Sequence, residues 1–434
     1  MKRNKLKGLL KETFTFHLWG LGGFFFFLPL LGVGGSAAAQ NLEDYLMIAA
    51  ENNPGIQAAY AEFEAALQQA PQVKSLPDPT LTVSAFGRMV ETRLGPQEAR
   101  FSLMQMFPWF GTLSAKEDAA TLMAEARFQA YLDTRNELFY KVSEQFFKLY
   151  ELEKQLQFQN DNVMILQNYK DLALAQVRSG NGAMADVLQT DLVVEETLTA
   201  TEILELQKRP LQTQFNVLLN RDKETAVAIP DTLEVIPGSS EFEPVSFEEH
   251  PRIVEVEKRL SAARSQEEVA RKEGMPKVGL GIDYVIIGER MDMAVDNNGQ
   301  DAVMPMLSVS LPIFRKKYKA AQKEAQFMQE SYAHQKEEVE NALSSEYESV
   351  IFEIEKSQKM LKLNRRQIEN MDRILNLQLS SYRGEGSGFE EVLRIRQELL
   401  RYQLEIAGAE KEYFTAIARK NYITGNSFEY ENQE

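Results

Sequence analysis

The chain carries the same residue pattern twice, and this duplication constrains its fold more than any other feature. Five landmarks recur in the same order, 197 to 205 residues apart: Asn53-Pro54 and His250-Pro251, the segments that begin at Pro79 and Pro276, Phe107–Gly111 and Leu311–Arg315, Val177–Leu188 and Tyr382–Leu393, and Leu219-Asn220 and Thr424-Gly425. Chance would not hold five landmarks in order at nearly constant spacing. We therefore expect two equivalent repeats joined by a connector.

Both repeats predict the same order of elements, because helical and strand periods alternate along them. The first repeat, 40–220, predicts a helix at about 54–75, strands at about 80–91 and 99–107 around a turn at 93–96, a long helix at about 112–178 and a helix at about 183–220. The second, 250–425, predicts a helix, strands at about 277–288 and 302–313, a long helix at about 315–382 and a helix at about 388–421. Residues 221–249 are the expected connector, and 426–434 form a C-terminal tail.

The N-terminal segment 1–39 has the pattern of a secretory signal peptide. Basic residues come first, an apolar stretch follows, and Ala37-Ala-Ala39 offers a cleavage site. A single membrane anchor is the alternative reading of this segment. We expect export of the remaining chain.

The strands of the second repeat predict one apolar face and one small or polar face. Val278, Leu280 and Ile282 alternate with Gly279 and Gly281 along the first of them. An apolar face opposite a small or polar one, over about ten residues, is typical of a strand that faces lipid. Four such strands leave unpaired edges that lipid cannot satisfy, and single-chain barrels begin at eight strands. The strands are therefore expected to close a barrel with other copies of the chain, and three copies would supply twelve.

The two long helices contain no proline and predict rods of about 100 Å at 1.5 Å per residue. Leucine and valine recur along the first at spacings of three, four and seven residues, as in a coiled coil. Such a narrow apolar stripe requires neighbouring helices.

Composition excludes several functions. The formal net charge of −16 argues against a nucleic-acid binder, and the absence of cysteine excludes thiolate metal sites and a lipid anchor on an N-terminal cysteine. Only three histidines are present, and we expect His250 and His334 to be solvated or capping residues.

The methionine pairs Met104-x-Met106, Met291-x-Met293 and Met304-x-Met306 could bind soft metal ions, but apolar filling of strands explains them better. No phosphate loop, nucleophile elbow or zinc motif occurs, so we expect no enzyme, cofactor or metal site.

Over residues 41–425, the chain resembles the TolC family of outer-membrane factors. The resemblance rests on the duplicated order of elements, on the two glycine-rich turns, and on the paired segments Phe107–Gly111 and Leu311–Phe314. The resemblance implies a mainly α protein with a small β part: a trimeric channel-tunnel whose twelve-stranded barrel continues into a helical barrel. It also implies a location in the outer membrane and periplasm, and partnership with a periplasmic adaptor and an RND-type pump or ABC transporter. Phe107-Pro-Trp-Phe-Gly111 is similar to the cation-efflux, CusC-like branch, although the lipidation cysteine of lipidated members is missing.

The resemblance further implies that the two helical turns form the periplasmic gate. Asp186 and Glu391 match a family acidic ring, while the second family acid is Gln189 or Arg394 here, which breaks the pattern of a double ring. Tyr382 and Arg383 match positions that tie the closed state together. Asp186 and Glu391 could instead only complement the dipoles of their helices.

Around this gate, the turns are the expected contact with the adaptor. The residues are Arg178, Gly180, Gly182, Val187, Leu188, Gly384, Gly386, Val392 and Leu393. We expect the glycines to supply positive φ in tight turns. Pro108, Trp109 and Pro312 mark the expected junctions of strand and helix. Aromatic girdles could form where the barrel meets water, from Phe86, Phe101, Trp109, Phe110, Tyr284 and Phe314.

Three other functions remain open from the sequence. The same duct could serve protein secretion by a type I system. A periplasmic adaptor also has a long helical hairpin, but only one, and a structural coiled-coil fibre would not need the alternating strands.

Overall fold

The computed structural model describes residues 41–235, 245–292, 294–385 and 388–425. Eight helices and four strands occur in these residues: α1 (Leu42–Asn52), α2 (Pro54–Leu67), α3 (Gln69–Lys74), β1 (Thr80–Thr92), β2 (Gly95–Phe107), α4 (Thr112–Arg178), α5 (Met184–Leu218), α6 (Pro251–Glu273), β3 (Lys277–Ile287), β4 (Ala302–Ser310), α7 (Arg315–Glu385) and α8 (Phe389–Thr424). The predicted signal peptide 1–39, the tail 426–434, Gly386 and Met293 lie outside the described residues. None of the described helices is both long and apolar enough to cross a membrane.

The two ends of each repeat meet through equivalent contacts, which explains two of the sequence landmarks. Asn53 and His250 each cap the helix that begins at the following proline, since their side chains accept backbone N–H groups. The Asn53 side chain also donates to Leu218 O at 2.8 Å, while His250 Nε2 lies 3.3 Å from Tyr422 O. In both repeats, therefore, a capping residue also binds the end of the returning helix.

Helix boundaries differ from the prediction mainly at the start of the first repeat. Instead of one helix at about 54–75, three short helices lie between Leu42 and Lys74. Pro54 begins α2 because a proline is favoured at the first helical position. Pro71 lacks an N–H for Leu67 O and its ring disfavours the preceding helical turn, and α2 accordingly ends at Leu67.

Strand boundaries also need correction. Strand β2 begins at Gly95 rather than at about 99, because the turn after Thr92 contains only two residues. Strand β4 ends at Ser310 rather than at about 313. Pro312 has no N–H group with which to continue the ladder.

The strands form one antiparallel sheet in the order β1-β2-β3-β4. Paired residues form continuous rows across all four strands. In one such row, Val83 of β1 pairs with Phe101 of β2, Phe101 with Tyr284 of β3, and Tyr284 with Val303 of β4. These side chains are exposed, and so are Leu81 and Leu307, at 61% and 71%. The other side of the sheet carries residues such as Ser102 and Asp283, and Asp283 pairs there with Arg100.

The helices pack as a layer with two different edges. Helix α4 contacts α1, α2, α3, α5, α6 and α8, whereas α7 packs along its length mainly against α6 and α8. One edge of the layer is therefore α5 together with α2 and α3, and the other edge is α7. A core around Tyr45, Phe146 and Phe215 lies midway along the rods, and connector residues of 227–235 and 245–247 pack on it. A second core lies beside the turns.

Candidate functional site at the helical turns

The chain of the turn between α4 and α5 folds back onto the carbonyl of Gln176. Gln176 O accepts the N–H groups of Asn181 and Gly182, at 2.9 and 3.1 Å. Gly180 has φ +79°, as expected, but Gly182 does not need positive φ. A Cβ at Gly182 would lie 2.8 Å from Gln176 Cβ, so close approach of the chain requires this glycine.

The turn between α7 and α8 is built differently. Gly384 lies inside the last turn of α7, without positive φ and with open space where a side chain would be. The expectation of positive φ at Gly384 was therefore wrong. Gly388 takes that conformation instead, with φ +83° at the N-cap of α8. The longer α7, which continues past the predicted end at about 382, explains the shift.

Two hydrogen bonds join the turns of the two repeats, and we call them the inter-repeat bonds. The Tyr382 hydroxyl donates to Asp186 Oδ2 at 3.3 Å, and Gln176 Nε2 donates to Arg383 O at 3.2 Å. Tyr382 is fully buried, and its ring packs on Phe389 with 4.7 Å between centroids. Burial, and next the negative charge of Asp186, raise the pKa of Tyr382 to about 12. The phenol thus remains a donor at neutral pH.

The two predicted gate acids have unequal surroundings. Glu391 accepts two hydrogen bonds from the Arg394 guanidinium, at 2.6 and 2.8 Å, and these bonds hold the pKa of Glu391 below its usual range. Asp186 has Tyr382 as its hydrogen-bond partner, a neutral group. The departure from the family pattern at Arg394 therefore removes most of the charge that Glu391 would add.

Several residues of the predicted adaptor contact form the core beside the turns. Val187, Val392 and Leu393 are buried there together with Leu166 and Ile395. Their side chains cannot meet a partner in this structure, which corrects the prediction for these three positions. Arg178 and Leu188 are exposed.

A buried arginine behind the turns was missed from the sequence. Arg396 Nε donates to Asn162 Oδ1 at 2.7 Å, and burial lowers the pKa of this guanidinium. Arg396 falls at the helical spacing of Phe389, Val392 and Leu399, which are core residues. A charged residue at a seam position was the signal that could have indicated it.

The strand-to-helix junction of the first repeat exposes aromatic rings. Pro108 follows β2, and the rings of Trp109 and Phe110 meet edge to face, 5.8 Å apart, with Phe110 86% exposed. Gly111 turns the chain into α4 with φ +76°, and Lys272 donates to its carbonyl at 3.3 Å. Neither Pro108 nor Pro312 lies in a helix, so neither occupies a first helical turn.

One methionine pair and two histidines can be placed in the fold. Met104 and Met106 extend over Gly279 and Gly281 on the polar side of the sheet, where glycine leaves room for their thioethers. His250 is a buried cap, and His334 is exposed. Among the described residues, no three His, Cys, Asp or Glu side chains form a group that could hold a metal ion.

Known proteins share this architecture. The family model of outer membrane efflux proteins matches residues 46–217 and 246–424, one segment for each repeat. A comparison with curated proteins gave no match. Among solved structures, the outer membrane protein VceC from Vibrio cholerae has 17% identity and a TM-score of 0.72, over 89% of this chain and 97% of its own.

Other outer-membrane channels are similar to the same degree. CusC has 16% identity and a TM-score of 0.71, over 92% of this chain and 96% of its own. MtrE from Neisseria gonorrhoeae has 17% identity and a TM-score of 0.69, over 91% of each chain. The fold is shared with all three, so the CusC-like branch stays a prediction. The resemblance that the sequence indicated is confirmed over both repeats: the chain belongs to the outer membrane efflux protein family.

Proposed function

We propose that three copies of this chain form an outer-membrane channel that serves as the exit duct of a tripartite efflux system. One observation carries the proposal: within the described residues, β1 and β4 are each paired on one side only, in a sheet whose apolar face is exposed. Unpaired strand edges are not tolerated in lipid, so such a sheet must close on itself. Three copies bring twelve strands, which is within the range of membrane barrels.

The helical layer supports the same closure, because both of its edges carry exposed apolar side chains. Leu192 and Leu206 are exposed on α5, and Phe352 and Leu377 are exposed on α7. A heterologous contact between α5 of one copy and α7 of the next would bury both stripes in a ring. Rods of 67 and 71 residues, about 100 Å long, would extend this ring into the periplasm.

At the far end of the rods, the turns are the proposed gate and adaptor contact. The inter-repeat bonds would hold the closed state, and three Asp186 carboxylates would favour cations at the mouth. Exposed Arg178 and Leu188 offer a surface for adaptor hairpins. Energy for transport would come from an inner-membrane pump, because the sequence contains no phosphate-loop motif for nucleotide hydrolysis.

Conductance in planar lipid bilayers tests the channel proposal. We expect the detergent-purified protein to insert and to give discrete, cation-selective current steps. A mutant chain that ends before α7 lacks one edge of the wall and should give none. A protein that stays in the soluble periplasmic fraction as a monomer, and gives no current, would contradict the proposal.

A further inference from the structure

A cluster of positive charge lies where the sheet meets the second long helix. Arg315, Lys316, Lys317 and Lys319 take four of the first five positions of α7. All four side chains are exposed, and we call them the basic collar. The chain as a whole is acidic, with a formal net charge of −16, so the collar is a local basic patch on an acidic protein.

The basic collar is not neutralised by the chain. In the part of the chain that the structure describes, no carboxylate forms an ion pair with any of its four members, and the Arg315 guanidinium donates to Gly274 O at 3.2 Å. Lysines farther along the rods do have acidic partners; Lys141 and Lys148, for example, pair with glutamates at 2.6 and 2.9 Å. Surface ion pairing therefore does not explain the collar.

Helix stability does not explain the collar either. The positive end of the helix dipole lies at the N-terminus, where acidic residues stabilise a helix and cations destabilise it. Helix α7 has no acidic residue in its first turn and begins with three consecutive cations. An anion from outside the chain would relieve this repulsion.

Directly before the collar, the chain exposes large apolar side chains. Leu311, Ile313 and Phe314 are 69 to 78% exposed and continue the exposed apolar side of β4, which includes Leu307 and Val309. The apolar surface is thus followed, within a few residues, by a cluster of cations. A phospholipid has the same arrangement, with an apolar acyl chain next to a charged phosphate.

We propose that the basic collar binds the anionic headgroups of phospholipids in the membrane leaflet on the helical side of the sheet. This inference rests on the proposed function, since it requires the sheet to lie in a membrane. Ammonium and guanidinium groups donate to phosphate oxygens, while the apolar strand ends contact the acyl chains. Toward the first repeat, a groove of about 450 Å³ is lined by Trp109 and Lys277, by Asp78, and by Lys116 and Glu273, which pair at 2.6 Å. Its charges are mixed, so it is not part of the basic collar.

A second copy of the chain is a poorer occupant of the collar. Helix α3, on the opposite edge of the layer beside the start of the sheet, has the sequence Gln-Ala-Pro-Gln-Val-Lys and ends at Lys74. The helix has no carboxylate of its own, and Lys74 already pairs with Glu117 at 2.8 Å. Contact with that helix would therefore bring no free negative charge to the collar.

Quenching of Trp109 fluorescence tests the proposal in the full chain. Trp109 is the single tryptophan outside the predicted signal peptide, and vesicles contain equal parts of phosphatidylcholine and phosphatidylglycerol, with brominated acyl chains on one lipid at a time. We expect brominated phosphatidylglycerol to quench about threefold more strongly than brominated phosphatidylcholine. Lys316→Gln with Lys317→Gln and Lys319→Gln should bring this ratio close to one. The matched control removes three exposed cations from the middle of the same helix: Lys362→Gln, Arg366→Gln and Arg373→Gln.

The outcomes separate the two proposals. Equal quenching by both lipids in the native sequence, or a preference that persists in the collar variant, would overturn the lipid inference and leave the channel intact. Absence of quenching by either lipid would place the sheet outside the membrane and overturn the proposed function. Inorganic phosphate should reduce the preference no more than chloride at equal ionic strength; a specific loss would identify free phosphate as the ligand and refute the lipid assignment.

Discussion

The hydroxyl of Tyr382 donates to the Asp186 carboxylate across 3.3 Å, and this bond joins the end of one repeat's long helix to the start of the other repeat's returning helix. The two residues are 196 positions apart in the chain, and each lies within a few residues of a turn. Separation of the two hairpins at this end must break the bond. It is therefore the most direct structural candidate for a contact that holds the channel closed.

Tyr382→Phe tests this role. The ring should stay packed on Phe389 while the hydrogen bond is lost, which is worth about 1 kcal/mol, or about a fivefold change in the opening equilibrium for each subunit. We expect a higher open probability in single-channel recordings. Tyr150→Phe is the matched control, because its hydroxyl bonds Glu410 at 3.1 Å in a position far along the rods. Equal recordings from both variants would show that the Tyr382 bond does not hold the closed state.

Because Glu391 is paired with Arg394, we predict that the two gate acids, Asp186 and Glu391, contribute unequally to cation selectivity. Arg394→Gln should free three negative charges per trimer and raise the ratio of cation to anion permeability, whereas replacement of the whole pair, Glu391→Gln with Arg394→Gln, should change it little. Asp186→Asn should lower the ratio, because Asp186 has no basic partner of this kind. Reversal potentials in a KCl gradient measure the ratio. A loss in the double variant as large as that on Asp186→Asn would contradict neutralisation of Glu391 by Arg394.

Two glycines of the turns should respond to alanine in opposite directions. At Gly182 a Cβ would lie 3.0 Å or less from the Gln176 side chain and backbone, so Gly182→Ala should destabilise the turn by about 1–3 kcal/mol. Gly384 is helical and faces open space, so Gly384→Ala should stabilise by about 0.5–1 kcal/mol. Hydrogen exchange of the amides beside each turn measures both effects. The same sign at both positions would refute the described geometry.

Local patterns of the sequence predicted the rods well. The first long helix was expected at about 112–178 and occupies Thr112–Arg178. Its apolar residues recur with the helical period, no proline interrupts them, and Gly111 and Gly180 mark the ends, so residues within this one segment suffice to predict the helix. Capping by Asn53 and His250 also follows from adjacent residues, each being followed by a proline.

Contacts between distant segments could not be predicted in the same way. The bonds from Tyr382 to Asp186 and from Arg396 to Asn162 join residues about 200 positions apart, and only the packing of the two repeats brings them together. Val187 and Val392 are buried by the same packing of the two repeats. Since the sequence alone does not show this packing, a surface role was expected for them. The shift of positive φ from Gly384 to Gly388 depends on where α7 ends, and helix ends are weakly specified by local sequence.

His250 predicts a pH dependence of stability. Its Nδ1 accepts Arg252 N–H while its Nε2 faces Tyr422 O, and burial lowers the pKa of His250 to about 4. Between pH 6.5 and 4 the folded protein therefore binds fewer protons than the unfolded chain. The free energy of unfolding should fall by up to about 3 kcal/mol as the pH is lowered through this range.

The variant His250→Asn isolates this effect, because Asn53 performs the same capping role in the first repeat without titrating. Nearby Asp133, whose pKa burial raises to about 6, gives an opposite slope that is common to both proteins and cancels in the comparison. Urea unfolding of the detergent-solubilised proteins at pH 7, 5.5 and 4 measures the difference. We expect the variant to lose less stability than the native chain on acidification; parallel curves would contradict the assignment.

Cross-linking between the two edge strands tests the central claim, that copies of the chain close the sheet. The chain has no cysteine, and β1 and β4 are three strand spacings apart, about 14 Å, which is beyond the reach of a disulfide. A cysteine at Val83 in β1, combined with one at Val303, Leu307 or Val309 in β4, can therefore form a disulfide only between copies. Val83→Cys with Phe101→Cys, a cross-strand pair within one chain, is the control.

After oxidation in membranes, denaturing gels should show one, two and three linked copies for at least one of the edge pairs, and a single copy for the control pair. A ladder that ends at three copies is the result that a closed twelve-stranded wall predicts. Single copies from every edge pair, or a ladder that continues beyond three, would contradict it.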